Sequence, residues 1–225
     1  MQNSSSLVLP DGLELRRDDE GLALVGDGMV LRADFARLLP RLRADRLGRE
    51  LLVRAARVRG VEAPTAVDAT AGLGEDSLLL AAAGFTVTMF EKDQVIAALL
   101  RDALERAAND SRLAGVAAHM TLVEGDSVSG LCDLGFSPDV VFLDPMFPER
   151  TKSAAVKKKF QLLHHLERPC DNEGELLDAA LAARPRKVVI KRPPKGPWLA
   201  GVKPSHSIAG KAVRYDVIVP PPSSH

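Results

Sequence analysis

Val67-Asp68-Ala69-Thr70-Ala71-Gly72-Leu73-Gly74 carries the strongest fold signal in this chain. Its first residues belong to an apolar run, Thr65–Ala69. A turn with two glycines follows, and an apolar helix pattern, Asp76–Ala83, begins directly after it. A buried strand that passes through a glycine turn into a helix is the opening unit of a doubly wound sheet. Glycines at that turn let backbone come close to a ligand, and the helix start offers N–H groups with no partner inside the helix.

The same rhythm continues downstream. Phe85–Phe90, Met120–Val123, Val140–Leu143 and Lys187–Ile190 read as strands, Gln94–Ala108 and Glu175–Ala183 as helices, and His206 to Val219 as a closing pair of strands. Strands that are apolar along their whole length and alternate with helices are buried on both faces. The expected fold is therefore α/β and Rossmann-like, a seven-stranded, mostly parallel sheet with helices on both faces. Pro193, Pro194, Pro197 and Pro204 mark a loop, and Pro220–His225 reads as a tail. Trp198, inside that proline-rich loop, reads first as an anchor packed on the domain, with stacking on RNA as the alternative.

Upstream, residues 12–32 alternate short apolar runs with Gly and Asp turns, which predicts two or three short strands. From Asp34 to Val58, leucines and alanines recur at helical spacing among arginines, with Pro40 starting or kinking a helix. Residues 1–59 thus form a β-rich lead-in and basic helical segment, a small appendage to a main domain over 60–225.

Composition narrows the function classes. The 225 residues are 46% hydrophobic and 27% charged, as in ordinary globular domains. No apolar run is long enough for a membrane span, and Met1–Leu9 lacks the pattern of a secretory signal. Cys132 and Cys170 make no disulfide framework and no CxxC pair, so a reduced, cytoplasmic protein is expected. The formal net charge of zero excludes a uniformly basic coat. Local patches exist, however: nine arginines against three acids from Arg32 to Arg59, then Lys157, Lys158 and Lys159, then Lys191, Arg192 and Lys195. Phosphate contacts require such patches and not a basic total, although arginines on a helix also serve as a solvated face. His164-His165 has no ligand partner at i, i+4 spacing and reads as helix surface; no metal is expected.

The cofactor follows from acids near the glycine turn. Glu91 lies 17 residues after Gly74, at the end of the second sheet strand, where such an acid accepts hydrogen bonds from ribose hydroxyls. A dinucleotide fingerprint would need a third glycine, but that position holds Ser77, and Glu75 and Asp76 stand at the helix start. Carboxylates repel a pyrophosphate and suit the sulfonium and ammonium of S-adenosylmethionine, although Asp76 also suits a helix cap. Asp126 and Ser127 follow the third strand, where Asp126 can accept from an adenine amine or simply turn the loop.

The chemistry is suggested by Asp144-Pro145-Met146-Phe147-Pro148, directly after Val140–Leu143. It resembles the Asn/Asp-Pro-Pro-Tyr/Phe motif of amino-methyltransferases. The exocyclic amine of a purine is a poor nucleophile because its lone pair is delocalised into the ring. A carboxylate from Asp144 and the carbonyl of Pro145 can accept its two hydrogens as charge develops. Phe147 can stack on the base and hold it in line. The alternative is a strand ending in an acidic turn with a buried Phe.

Val67–Gly74, Leu143–Pro148, Lys-Ser-Ala-Ala-Val-Lys-Lys at 152–158 and Val188–Pro193 together resemble the bacterial small-subunit ribosomal RNA guanine-N2 methyltransferase J family, over about residues 60–220. The resemblance implies methyl transfer to N2 of a guanine in 16S ribosomal RNA, with the small ribosomal subunit as partner. It places cofactor contacts on Glu75, Asp76, Glu91, Lys92, Asp126, Ser127 and Asp144, beside Asp68, Gly72 and Gly74 of the turn. Lys152, Lys157, Lys158, Lys159, Lys191 and Arg192 are then expected to meet RNA phosphates. The chain departs from the family pattern at Arg43–Arg49, which holds a single glycine, and at Glu75. Rival expectations are an amino-methyltransferase acting on DNA adenine, protein or a small molecule, a non-catalytic RNA-binding assembly factor, and an NAD-dependent oxidoreductase.

Overall fold

The computed structural model describes residues 9–145 and 172–221. Seven strands form the central sheet in the order β6-β5-β4-β7-β8-β10-β9. They are β4 (Thr65–Asp68), β5 (Thr86–Glu91), β6 (Met120–Glu124), β7 (Val140–Leu143), β8 (Lys187–Arg192), β9 (His206–Ala209) and β10 (Arg214–Ile218). The five strands from β6 to β8 in that order are parallel, whereas β10 runs antiparallel to both its neighbours. The chain winds outward from β4 to β6, then returns to β7 on the other side of β4. The crevice at the carboxyl ends of β4 and β7 is therefore the topological switch point, where open α/β sheets bind ligands.

Alternate residues of each strand face opposite layers. Ala66, Val87, Met89, Val140, Phe142, Val189 and Val217 pack on one face, with α3 (Leu51–Ala56), α4 (Glu75–Ala82) and α5 (Gln94–Ala108). Val67, Ala69, Phe90, Val141, Leu143, Val188 and Ile190 pack on the other, against α7 (Ser127–Cys132) and α8 (Glu173–Ala182). This two-sided burial is why the strands read as unbroken apolar runs. A short helix, α6 (Ala114–Ala117), leads into β6.

The lead-in forms a separate antiparallel sheet of β1 (Glu14–Asp18), β2 (Gly21–Gly26) and β3 (Met29–Leu31). Leu24 and Leu31 of this sheet join the same apolar cluster as α5, so it shares the core of the main sheet. Buried Asp102 of α5 pins it by taking Arg17 at 2.7 Å and Arg106 at 2.8 Å. Gly21, at φ 109°, lies against the side chains of Asp102 and Arg106, and a Cβ there would collide with both.

The helix expected from Asp34 to Val58 is instead broken. A 3-10 turn at Phe35–Leu38 leads into α1 (Leu39–Leu42), then α2 (Ala44–Leu47) and α3. Pro40 sits in the first turn of α1, where its missing N–H costs nothing. Arg43 and Glu50 then adopt extended backbone, with ψ of 139° and 129°, and interrupt the helix twice. Arg41 closes the break by holding both oxygens of Glu50 at 2.9 Å.

Candidate active site

The glycine turn is braced from within. Asp68, fully buried at the end of β4, accepts from the Ser77 hydroxyl at 2.6 Å and from the Thr70 N–H at 3.0 Å. Burial pushes its carboxyl up to about 7, against the opposing pull of those two donors. Both oxygens thus take donors from the protein, and Asp68 shapes the turn. Gly72 and Gly74 take φ of 53° and 75°, a left-handed backbone that a side chain would strain. A Cβ on Gly72 would enter open space, whereas one on Gly74 would strike Leu100 and Phe35. The first glycine faces the crevice and the second packs against the core.

Glu91 ends β5 beside this turn. Its carboxylate accepts from the Gly72 N–H at 2.9 Å and the Asp93 N–H at 2.8 Å. Each oxygen keeps a lone pair that can accept from a hydroxyl. Burial raises its pKa while the backbone donors oppose the rise. The Gly125 N–H bonds the Glu91 carbonyl at 2.9 Å, which sets Asp126 at the adjoining strand end. Asp126 caps α7, accepting from Val128 at 3.1 Å and Ser129 at 3.2 Å, yet is exposed. Lys92 is exposed and Ser127 half-buried.

Across the switch point, the Asp144 N–H donates to the Thr70 hydroxyl at 2.6 Å, stitching the end of β7 to the glycine turn. The Asp144 carboxylate meets the Lys191 ammonium at 2.8 Å, and the same ammonium meets Asp76 of α4 at 2.6 Å. Burial raises the Asp144 pKa and Lys191 opposes it. Burial would lower Lys191, but the two carboxylates outweigh that and raise it, so the shared proton stays on the lysine. Tyr215 pairs with Lys191 across β10 and β8 and closes the floor of this cluster; burial first, then Asp76, pushes its hydroxyl pKa up. The ends of β5, β6 and β7 and the start of α4 therefore share one edge, lined by Glu91, Asp126, Asp144 and Asp76.

A family model described as "Putative SAM-dependent methyltransferase" matches residues 3–220. The chain is 49% identical over 172 residues to the ribosomal RNA small subunit methyltransferase J of Thioalkalivibrio sulfidiphilus, covering 76% of this chain and 68% of that protein. It is 40% identical over 206 residues to the protein of the same name from Neisseria meningitidis serogroup B, covering 90% and 82%. This chain belongs to the methyltransferase J family. A crystal structure of a SAM-dependent methyltransferase from Neisseria gonorrhoeae superposes with a TM-score of 0.77 at 32% identity, over 96% of this chain and 87% of that one.

As a methyltransferase J, the chain uses S-adenosylmethionine, and the residues present fit it. The edge offers carboxylates to a sulfonium, an ammonium and ribose hydroxyls, and the Lys191 ammonium there is already held by two of those carboxylates. The oxidoreductase expectation falls with membership of this family. Among the described residues no cluster of His, Cys, Asp and Glu suited to a metal occurs, and no helix is long and apolar enough to cross a membrane.

The residues expected to meet RNA lie in different settings. Lys191 is committed to Asp76 and Asp144, and the Arg192 side chain is fully buried, pairing with Glu173 at 3.1 Å and the Pro197 carbonyl at 3.0 Å. Both lie in the last turns of a central strand, where side chains point into the covered faces. Trp198 is 42% exposed and is no packed anchor. Pro145 is buried at the end of the described stretch, whereas Met146, Phe147, Lys152, Lys157, Lys158 and Lys159 lie outside the described residues. Thr70, Ser77 and Tyr215 carry no site role in the sequence analysis. A hydroxyl within and just after the glycine turn was the only signal for the first two.

Proposed function

We propose that this chain transfers a methyl group to the N2 amine of a guanine in 16S ribosomal RNA. The observation that carries the reading is the Asp144 carboxylate, fixed at the switch point by Thr70 and Lys191 beside the acids of the cofactor edge. Bound S-adenosylmethionine supplies an electrophilic methyl on a positively charged sulfur. Glu91 and Asp126 hold the adenosine, and the Gly72–Gly74 turn leaves room for the methionine portion.

Asp144 accepts one hydrogen of the amine, and the Pro145 carbonyl accepts the other. Loss of amide-like conjugation then leaves the nitrogen lone pair free to attack, and the developing positive charge is stabilised by the carboxylate. Lys191 keeps Asp144 ionised before the attack and keeps its own proton throughout. The surplus amine proton leaves through Asp144 to solvent. Phe147 stacks on the base, and Lys152, Lys157, Lys158 and Lys159 meet phosphates of the RNA.

The test is transfer from labelled S-adenosylmethionine to small ribosomal subunits isolated from cells lacking this gene, followed by nucleoside analysis. Labelled N2-methylguanosine is the expected product, and Asp144→Ala abolishes it while cofactor binding persists. Label in another nucleoside, or none in a preparation that binds the cofactor, would overturn the assignment.

A further inference from the structure

From Ala179 to Tyr215 the chain carries nine Lys and Arg residues and no Asp or Glu. Most of these cations are consumed inside the fold. Arg186 pairs with Asp139, Lys187 donates to the Ala55 and Arg57 carbonyls, and Lys191, Arg192 and Arg214 are held as ion pairs. Lys195, Lys203 and Lys211 are exposed and have no carboxylate partner among the described residues.

Two of these three stand at the carboxyl edge of the sheet. Lys195 lies in the loop that leaves β8, four residues after the lysine that touches Asp144. Lys211 lies in the β9–β10 turn, closed by a Gly210 N–H to Val213 carbonyl bond of 2.8 Å. Arg214 joins the two elements. Its guanidinium donates to the Pro194 carbonyl at 3.0 Å and the Gly196 carbonyl at 3.1 Å, and Asp216 holds it from behind at 2.8 Å. Buried Arg192 fastens the Pro197 carbonyl, and Glu173 takes the Ala200 N–H at 3.0 Å. Leu199 is buried among α8 side chains. Trp198, between these fastenings, is left 42% exposed.

A large aromatic ring held outward on an immobilised loop costs little entropy when it binds, because its backbone is already ordered. Lysines without a carboxylate partner in the same loop and in the turn tied to it, and no acid nearby in sequence, complement a polyanion with planar faces. We propose that the β8–β9 loop and the β9–β10 turn form a docking surface for single-stranded RNA next to the target base, with Trp198 stacking on a base and Lys195 and Lys211 meeting phosphates. The inference rests on the proposed RNA substrate and adds the surface that seats it. Base stacking on an aromatic side chain tolerates any sequence, so this surface supplies affinity and position, while the amine pocket supplies choice.

Trp198 is the only tryptophan of the chain, so its fluorescence reports this loop alone. Titration of the full chain with a short single-stranded oligoribonucleotide of mixed sequence is expected to quench it. With small ribosomal subunits as substrate, Trp198→Ala is expected to raise KM about tenfold, with kcat within about twofold and Trp198→Phe close to wild type. Lys195→Ala/Lys211→Ala is expected to raise KM at low salt and to flatten the log KM against log salt slope by about 1.4. Cofactor affinity of all variants stays at the wild-type value, which separates docking from misfolding. Unquenched fluorescence together with unchanged KM in active Trp198→Ala would overturn the surface and leave the reaction standing. Quenching by RNA in a chain that methylates no subunit would sustain the surface and remove the substrate assignment.

Discussion

Replacing Lys191 by methionine isolates what the shared ammonium does for Asp144. Methionine keeps most of the side-chain length and apolar volume, so the floor under Tyr215 stays filled. What is lost is a positive charge 2.8 Å from one carboxylate and 2.6 Å from another. A unit charge pair about 4 Å apart is worth about 4 kcal/mol at an effective dielectric near 20. The side chains of Lys191 and Asp144 are 29% and 37% exposed, so solvent screens the contact. About half, ~2 kcal/mol, is a realistic share. Without that share the Asp144 pKa rises further above its ordinary value. Asp76, left facing Asp144 with nothing between them, pushes the same way. Because the reaction needs the carboxylate, the acid limb of kcat against pH is expected to move about one to two pH units toward higher pH. Activity well above the limb should recover toward wild type. Lys191→Arg, which keeps the charge, should leave the limb where it is. The assay is single-turnover methyl transfer to subunits at saturating cofactor over a pH series, with circular dichroism to confirm folding. A folded Lys191→Met enzyme whose acid limb coincides with that of wild type would refute the reasoning.

Other outcomes follow from the same geometry. Gly74→Ala must place a side chain at φ 75° and against Leu100 and Phe35, and should lose about 2–4 kcal/mol in urea denaturation. A loss under about 0.5 kcal/mol would show that the turn relaxes freely. Gly130→Ala in α7 would drive a methyl into the ring of buried Phe90, with an expected loss of about 1–3 kcal/mol in the same experiment and little change in cofactor affinity. Asp68 titrates near 7 when folded and near 3.8 when unfolded, so the folded state holds the extra proton between those values. Its contribution to stability is therefore greatest below pH 3.8 and is lost as pH rises through 7. Asp68→Asn should remove that part of the decline in denaturation midpoint between pH 5 and pH 7.5; parallel wild-type and variant curves would contradict the assignment.

The strands β4, β5 and β7 and the helix α5 were legible because burial on both faces leaves an unbroken apolar signature, and α5 was found to the residue at Gln94–Ala108. The lead-in strands were legible from alternation and turn residues. The segment over residues 34–58 was misjudged because helical spacing survives across short breaks. Only backbone angles at Arg43 and Glu50 reveal those breaks. The family, the cofactor and the candidate acids lay in local motifs, each a strand end with its following turn, and so needed no knowledge of distant contacts.

What sequence alone determined is thus what neighbours along the chain enforce: the α/β class, the glycine turn, and the order of Glu91, Asp126 and Asp144 after successive strands. The tertiary structure decided which charges face inward. Lys191 and Arg192 look like a basic patch in the sequence, but pairing of β8 with β7 and β10 sets Lys191 between two carboxylates and seals Arg192 beneath the Trp198 loop. A charge is indifferent to sequence distance and responds to what lies within a few ångströms. Asp76 and Asp144 come that close to Lys191 only once the sheet has assembled.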